Sequence, residues 1–358
     1  MPLGKDPETS GNAMDTNTKQ ISNNKDNLKK NNKKGQGNAM PQVDARLWAV
    51  LVLVAAFSAA VLRTAAILLS YDAEIGYFAR GTALPVLADV VCIIGTLAAV
   101  GFAFFCCPHG RAVYNVGARD SAPVYFATAY AAFVMLGTFM HELWRCLSER
   151  TAASYFEKAA AVDNAYTARS LRIQGVLIII GIIASAISAI YFFCRLSGKG
   201  WREWYVILGF APGLRGVSGM ATIYFDMTVE MNSPNKMLLQ LALISVMLYF
   251  LLELRMLLGE KKARPRAYAA VGLAATVLTA AASVSLIAAY FAGQVSNAYF
   301  FTESFFCFNM MIYIMVRTVA FIAGPYTKVA TVSDAERESA PVPADAPADA
   351  DADRGSDD

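Results

Sequence analysis

The stretch GFAPGLRGVSGMATIYFDMTVEMNSPNK, residues 209–236, begins inside a long apolar run and ends in a short polar loop. The same alternation of apolar runs of about 20 residues with short polar connections continues in both directions, from Leu47 to Ala323. A helix of that length crosses the hydrocarbon core of a bilayer, where no water is present to satisfy free backbone groups. The pattern therefore predicts an all-α fold, a polytopic transmembrane helical bundle.

The apolar runs predict about eight membrane spans. Hydrophobic residues make up 56% of the 358 residues and charged residues only 16%, whereas soluble domains carry about a quarter charged residues. We place the spans at residues 47–70, 84–106, 122–143, 173–194, 204–224, 237–258, 267–292 and 299–323.

Two polar tails flank the bundle, which we place at residues 46–324. Residues 1–45 are rich in Asn and Lys and residues 325–358 are acidic, so both tails are predicted to be disordered and cytoplasmic. The net charge of +3 is too small to indicate a nucleic-acid partner. The six cysteines include no CxxC pair, so neither a disulfide framework nor a zinc knuckle is indicated. We expect no metal site and no cofactor.

The distribution of Lys and Arg predicts that both termini lie in the cytoplasm. Three connections on the side of the termini are basic: 107–121, 195–203 and 259–266. Three on the opposite side hold only Arg80 and Lys236: 71–83, 225–236 and 293–298. The long connection 144–172 is an exception, because it also carries several basic residues. Alanine-rich spans and short loops favour a bacterial cytoplasmic membrane.

The chain shows signs of an internal duplication. Leu62-Arg63 in the first span recurs as Leu214-Arg215 in the fifth, and Glu74 aligns with Asp226 at the same offset. Four spans in each half would have the same orientation, which is the parallel 4+4 repeat found in some transporters. Apolar segments align with one another easily, so the repeat is one possible interpretation.

Charged residues inside the spans are the candidate substrate-binding residues: Arg63, Asp89, Arg215 and Glu303. An arginine at the centre of a bilayer costs roughly 2.5–3.5 kcal/mol, so such residues usually pair with acids. Asp89 enters the second span at a depth near that of Arg63, which predicts a pair between them. Glu303 lies near the start of the eighth span and is a possible partner of Arg215.

The fifth span contains residues that weaken a helix and are candidates for a kink or gate: Gly209, Pro212, Gly213, Gly216 and Gly219. Two interpretations remain open for Arg215 among them. In one, a broken helix presents Arg215 to an anion or carboxylate. In the other, the helix is merely kinked, its small residues pack closely, and Arg215 pairs with an internal acid.

Other polar groups also allow two interpretations. Asp226 and Glu230 in the outer loop either attract cations or gate the fifth span, or else form a short helix before a turn and a helix start at Pro234. His141-Glu142 forms either a proton relay or an interfacial cap. Near the inner ends, we expect Glu253, Arg255 and Arg317 to form a structural ion pair or to face the cytoplasm.

These features favour a transporter or permease for a small polar or anionic solute, with proton coupling as an option. The alternative is a non-enzymatic membrane sensor or an assembly scaffold, in which the tails and the connection 144–172 bind a protein partner. No catalytic motif is present, which disfavours an enzyme. The expected partners are the lipid bilayer and a small solute, and a protein partner or homo-oligomer is compatible with the sequence.

Overall fold

A computed structural model of the chain describes residues 45–72, 75–106, 122–197, 207–226, 232–257, 264–295 and 297–323. Within these ranges the regular structure is helical apart from one two-stranded hairpin, which confirms the prediction of an all-α bundle. The predicted tails lie outside the described residues, except for Ala45. The helices are α1 Ala45–Ser70, α2 Ala83–Cys106, α3 Ala122–Ser148, α4 Thr151–Ala161, α5 Ala165–Ser197, α6 Ala211–Phe225, α7 Pro234–Leu257, α8 Pro265–Phe291 and α9 Ala298–Ala323. The strands are β1 Tyr71–Asp72 and β2 Tyr77–Phe78.

Seven helices of the described chain are long and apolar enough to cross a membrane, namely α1, α2, α3, α5, α7, α8 and α9. The chain is therefore a multi-pass membrane protein. In place of the fifth predicted span, 204–224, the described residues contain α6, which has 15 residues. At 1.5 Å per residue α6 is about 22 Å long, shorter than the hydrocarbon core of about 30 Å. Residues 209–210 form a turn, and Pro212 lies in the first turn of α6, where its missing N–H breaks no hydrogen bond.

Contacts between helix ends give the directions of the helices. The end of α6 meets the starts of α7 and α9, because Asp226 bonds to Lys236 and Asn297; we call this the upper end of the bundle. The ends of α5, α7 and α9 meet at the lower end, where α8 begins. The long helices α5 and α7 therefore both run toward the lower end, and the shorter α6 runs back to the upper end between them.

Helix α8 lies at the centre of the bundle, in contact with α1, α2, α7 and α9. Its alanine-rich sequence lets these neighbours approach closely, which is how membrane helices usually associate. Gly272 shows how close this packing is, because a Cβ atom there would lie 2.2 Å from Oγ1 of Thr318 on α9. The outer faces of α1, α2, α3 and α5 instead expose large apolar side chains, as expected for surfaces in contact with lipid.

Short elements cover the upper end. Strands β1 and β2 pair antiparallel, with Tyr71 opposite Phe78, and Gly76 makes the turn with a φ of 76°. Helix α4 occupies the long connection between α3 and α5, and its Phe156 ring packs over Gly175 of α5. The upper connections are thus packed against the ends of the helices.

Candidate functional site

Arg215 of α6 is at the centre of a buried ion cluster in the upper half of the bundle. Its Nη1 and Nη2 atoms donate to the two carboxylate oxygens of Glu303, on α9, at 2.8 and 2.9 Å. Nη2 also donates to Oε1 of Glu142, on α3, at 2.6 Å. Ser185 of α5 donates to the other oxygen of Glu142 at 3.1 Å. We call these four residues the upper cluster; it joins four helices.

Gly219 makes room for the upper cluster. It lies one helical turn after Arg215 and therefore on the same face of α6. A Cβ atom at Gly219 would lie 2.2 Å from Oε2 of Glu303 and 2.9 Å from Nη1 of Arg215. The carboxylate of Glu303 thus occupies the volume that any side chain at Gly219 would need.

The charges of the upper cluster do not balance. Two carboxylates face one guanidinium, so the fully ionised cluster has a formal charge of −1. The side chain of Glu142 is 15% exposed, against 6% for Glu303 and 2% for Arg215. Glu142 is therefore the most solvent-accessible side chain of the three charged residues. The ring of Phe306 covers the guanidinium at 4.9 Å.

Arg63 and Asp89 form a second, separate ion pair at 2.5 Å. Arg63 also donates to Oδ1 of Asn235 at 3.0 Å, and its guanidinium lies 4.8 Å from the ring centre of Phe78. The side chain of Asp89 is 53% exposed whereas that of Arg63 is 2% exposed. Among the described residues no hydrogen bond or ion pair joins this pair to Arg215 or its partners, so the four candidate residues form two sites.

The glycines of the candidate kink have different surroundings. Gly209 is in the turn before α6, whereas Gly213 and Gly216 face α7. A Cβ at Gly216 would lie 3.4 Å from the carbonyl oxygen of Leu243. Gly213 and Gly216 let α6 and α7 pack closely. A role of these glycines in gating stays a prediction.

Asp226 of the outer loop is buried at the end of α6. Its carboxylate accepts a hydrogen bond from Asn297 at 2.7 Å, and its carbonyl accepts one from Nζ of Lys236 at 2.7 Å. Glu230 lies outside the described residues. Helix α7 begins at Pro234, but the Ser233 hydroxyl donates to the Gly76 carbonyl instead of capping α7.

A second buried cluster, which we call the lower cluster, consists of Arg195, Glu253, Tyr313 and Arg317. Oε1 of Glu253 lies 3.0 Å from Nη1 of Arg195 and 3.2 Å from Nε of Arg317. The Tyr313 hydroxyl donates to Glu253 at 3.0 Å and accepts from Arg195 at 3.1 Å. Nη1 of Arg195 also lies 3.1 Å from the hydroxyl of Tyr191.

Aromatic rings separate the two clusters. Phe192 of α5 lies 6.1 Å from Phe250 of α7 and 5.1 Å from Tyr313 of α9, and Phe250 stacks on Tyr313 at 5.9 Å. From Glu303 to Arg317, α9 rises by about 20 Å at 1.5 Å per residue. Helices α5, α7 and α9 thus form an aromatic layer on the upper side of the lower cluster, and Tyr313 belongs to both.

Two residues of these clusters were assigned other roles from the sequence. Glu142 was interpreted as part of a proton relay or an interfacial cap, and it is a partner of Arg215. Arg195 was placed in a connection, but it lies inside α5 and is buried. The spacing of Tyr191 and Arg195, one turn apart, was the available signal that Arg195 continues a helix.

Comparison of the chain with protein-family models, with curated proteins and with solved structures finds no match. Among the described residues, no group of three or more His, Cys, Asp or Glu side chains has the geometry to hold a metal ion. The function is therefore inferred from the geometry of the two clusters.

Proposed function

We propose that the chain is a proton-coupled transporter of a small polar solute, in which the upper cluster accepts and releases the proton. The observation that supports this proposal is the pairing of one buried arginine with two carboxylates from two other helices. An excess negative charge is costly in a low-dielectric bundle, and a bound proton removes it. Intramembrane acids that can take up a proton are typical of pumps and transporters.

Glu142 is the more accessible of the two acids, so in this proposal it is the one that exchanges the proton. Arg215 donates two hydrogen bonds to Glu303 but only one to Glu142, which accepts its other hydrogen bond from Ser185 and is the more exposed acid. Protonation of Glu142 weakens its attraction to Arg215 and so loosens α3 from α6. Cys307 of α9 is a further titratable side chain beside the cluster.

The stacking of the two clusters also favours transport. Ion pairs close the bundle near both ends, and an aromatic layer lies between them. A transporter needs such closures on either side of a central site, because its two ends must open alternately. In this proposal the arginine-rich lower end faces the cytoplasm of a bacterial cell, following the positive-inside rule.

The test is proton flux in proteoliposomes that contain a pH-sensitive dye. L-Glutamate, succinate, L-lysine, uridine and thiamine are added outside in turn, and acidification of the lumen is recorded. We expect one of these solute classes to drive acidification in the wild type and the flux to fall at least about tenfold in Glu142→Gln, which cannot exchange the proton. The matched control is Glu149→Gln, an exposed acid that directly follows the end of α3.

Full solute-driven flux in Glu142→Gln contradicts the proton role of the upper cluster. The melting temperature of each variant with and without solute separates binding from transport, because a ligand of the folded state raises it. Solute binding without flux would identify a sensor, and loss of a protein partner on deletion of the tails would identify a scaffold.

A further inference from the structure

Two buried side chains near the upper end of the bundle hold hydrogen-bond donors that are unpaired within the described chain. These donors are Nε of Arg63, on α1, and Nδ2 of Asn235, on α7. Arg63 is 2% exposed and Asn235 is 3% exposed, so bulk water does not reach them. A buried donor without an acceptor is unfavourable, and in a folded protein it commonly marks the place of a bound water, ion or ligand.

The two free donors lie on groups that contact each other. Nη2 of Arg63 donates to Oδ1 of Asn235 at 3.0 Å, which fixes the amide, because the exchanged orientation would place two donors against each other. Nε and Nη2 leave the same edge of the planar guanidinium, whereas Nη1 donates to Asp89 at 2.5 Å. The free Nε–H therefore belongs to the edge of Arg63 that faces Asn235.

The start of α7 adds positive potential at the same place. Asn235 is the second residue of this helix, whose first N–H groups have no partner within the helix. The hydroxyl of Ser233, just before the helix, donates to the carbonyl of Gly76. The dipole of α7 thus favours negative charge beside the two free donors. An oxyanion, such as a carboxylate or a phosphodiester, is the ligand group that fits this set of donors.

The charges of the site favour a zwitterion over a simple anion. The positive charge of Arg63 is balanced by that of Asp89, whose side chain is 53% exposed. An oxyanion alone would add an excess negative charge beside this pair, which is costly in a low-dielectric bundle. A ligand that also carries an ammonium group can place it against the exposed carboxylate of Asp89, so the sum of charges stays at zero.

We propose that Arg63, Asn235 and Asp89 form a binding site for a small zwitterion, with its oxyanion on Arg63 and Asn235 and its ammonium group on Asp89. The ring of Phe78 lies over the guanidinium, with its centre 4.8 Å away, so a ligand that enters past Asp89 displaces this ring. Free amino acids and the headgroup of phosphatidylethanolamine both carry an oxyanion close to an ammonium group. The experiment distinguishes these two sources.

The experiment measures binding by the full chain in the neutral detergent dodecyl maltoside. Glycine is titrated at constant ionic strength, and the apparent melting temperature gives the dissociation constant. Acetate and methylamine, which carry one charged group each, are titrated in parallel. A second arm compares phosphatidylethanolamine with phosphatidylglycerol, whose headgroup has no ammonium group.

We expect the zwitterion to bind at least about tenfold more tightly than the ligands that carry only one of its charged groups. A rise of the melting temperature with glycine identifies a free amino acid as the ligand. A rise with phosphatidylethanolamine, and not with glycine, identifies a lipid headgroup.

The variant Asn235→Asp separates binding from folding. It keeps the size of the side chain and an acceptor for Arg63, and an acid in the first turn of α7 is favourable, so the variant should fold. It loses the free donor and adds a negative charge, so zwitterion binding should fall at least about tenfold. The matched control is Asn164→Asp, an exposed residue that caps α5 and should bind like the wild type.

The variant Asp89→Asn tests the charge argument. Without the carboxylate, Arg63 has an unbalanced positive charge, so the preference should reverse from glycine to acetate, or from phosphatidylethanolamine to phosphatidylglycerol. The matched control Asp163→Asn removes an exposed acid from the connection between α4 and α5 and should keep the wild-type preference.

Wild-type protein that responds to neither glycine nor phosphatidylethanolamine overturns the proposal, because a buried water then suffices for the free donors. Equal binding by the Asn235→Asp and Asn164→Asp variants also overturns it, as does an unchanged preference in Asp89→Asn.

Two acids of nearby connections, Glu74 and Glu230, lie outside the described residues. If Glu74→Gln or Glu230→Gln lowers the melting temperature as much as Arg63→Gln does, a carboxylate of the chain itself is the acceptor and the proposal is overturned. The site does not depend on the proposed transport. Its failure leaves the proton flux through Glu142 untouched, and failure of that flux leaves zwitterion binding intact.

Discussion

Replacing Gly219 by alanine tests the geometry of the upper cluster directly. The new methyl carbon would lie 2.2 Å from Oε2 and 2.7 Å from Cδ of Glu303. Ordinary contact begins near 3.4 Å, so the carboxylate must move by more than 1 Å. Its two hydrogen bonds to Arg215, at 2.8 and 2.9 Å, cannot both survive such a shift.

The expected loss of stability follows from these contacts. Breaking a buried ion pair lowers the free energy of unfolding by about 3–5 kcal/mol, and the better helix propensity of alanine offsets about 1 kcal/mol of this loss. We therefore expect Gly219→Ala to lower the free energy of unfolding by about 2–4 kcal/mol. Equilibrium unfolding in mixed micelles of dodecyl maltoside and SDS measures this difference.

Two comparisons separate the clash from a general effect of the substitution. Gly137→Ala on α3 is the matched control, since a Cβ there has no atom within 4 Å, and it should be neutral or stabilising by up to about 1 kcal/mol. In a Glu303→Ala background the clash is gone, so Gly219→Ala should no longer destabilise the protein. Equal stability of the Gly219→Ala and Gly137→Ala variants, or an equal cost of Gly219→Ala in both backgrounds, would refute the reasoning.

Three further outcomes are expected. Gly272→Ala should destabilise the bundle by about 1–3 kcal/mol through overpacking, because its methyl group would lie 2.2 Å from Oγ1 of Thr318; Thr318→Ala should restore part of the loss in the same unfolding assay. Asn297→Ala should lower the free energy of unfolding by about 1–3 kcal/mol, because it removes the 2.7 Å hydrogen bond to the buried carboxylate of Asp226; chemical unfolding measures the difference. Burial raises the pKa of Tyr155, which lies on α4 outside the spans, so the folded state holds this proton more tightly than the unfolded state. That contribution is present below the ordinary tyrosine pKa of about 10 and is lost at higher pH, so the melting temperature should fall less in Tyr155→Phe than in the wild type above pH 10.

The number of long helices follows closely from hydropathy, but their ends do not. Apolar length is set by the thickness of hydrocarbon, which a sequence window detects well. The backbone hydrogen bonds of α3 and α5 continue beyond the apolar part, to Ser148 and back to Ala165. The predicted fifth span, 204–224, is longer than α6 for another reason. Its composition is apolar throughout, so the turn at residues 209–210, before the start of α6, could not be seen in hydropathy.

Ion pairs were predictable only where depth identified the partners. Asp89 and Arg63 enter neighbouring helices at similar depths, and their pair was expected. Glu303, near the outer end of its span, had either Arg215 or the outer loop as a candidate partner, and it pairs with Arg215. Glu142 and Arg195 were not assigned to clusters, because the choice of partner depends on which helices are neighbours, and that arrangement leaves no local pattern in the sequence.

The central position of α8 has a consequence for the order of assembly. Ribosomes deliver α1 and α2 to the membrane first, yet both pack against α8, which is made near the end of the chain. Until α8 inserts, the alanine-lined faces of α1 and α2 that will meet it lack their main partner. The final packing of the earliest helices therefore waits for one of the last, and a chain that stops before residue 265 lacks its centre.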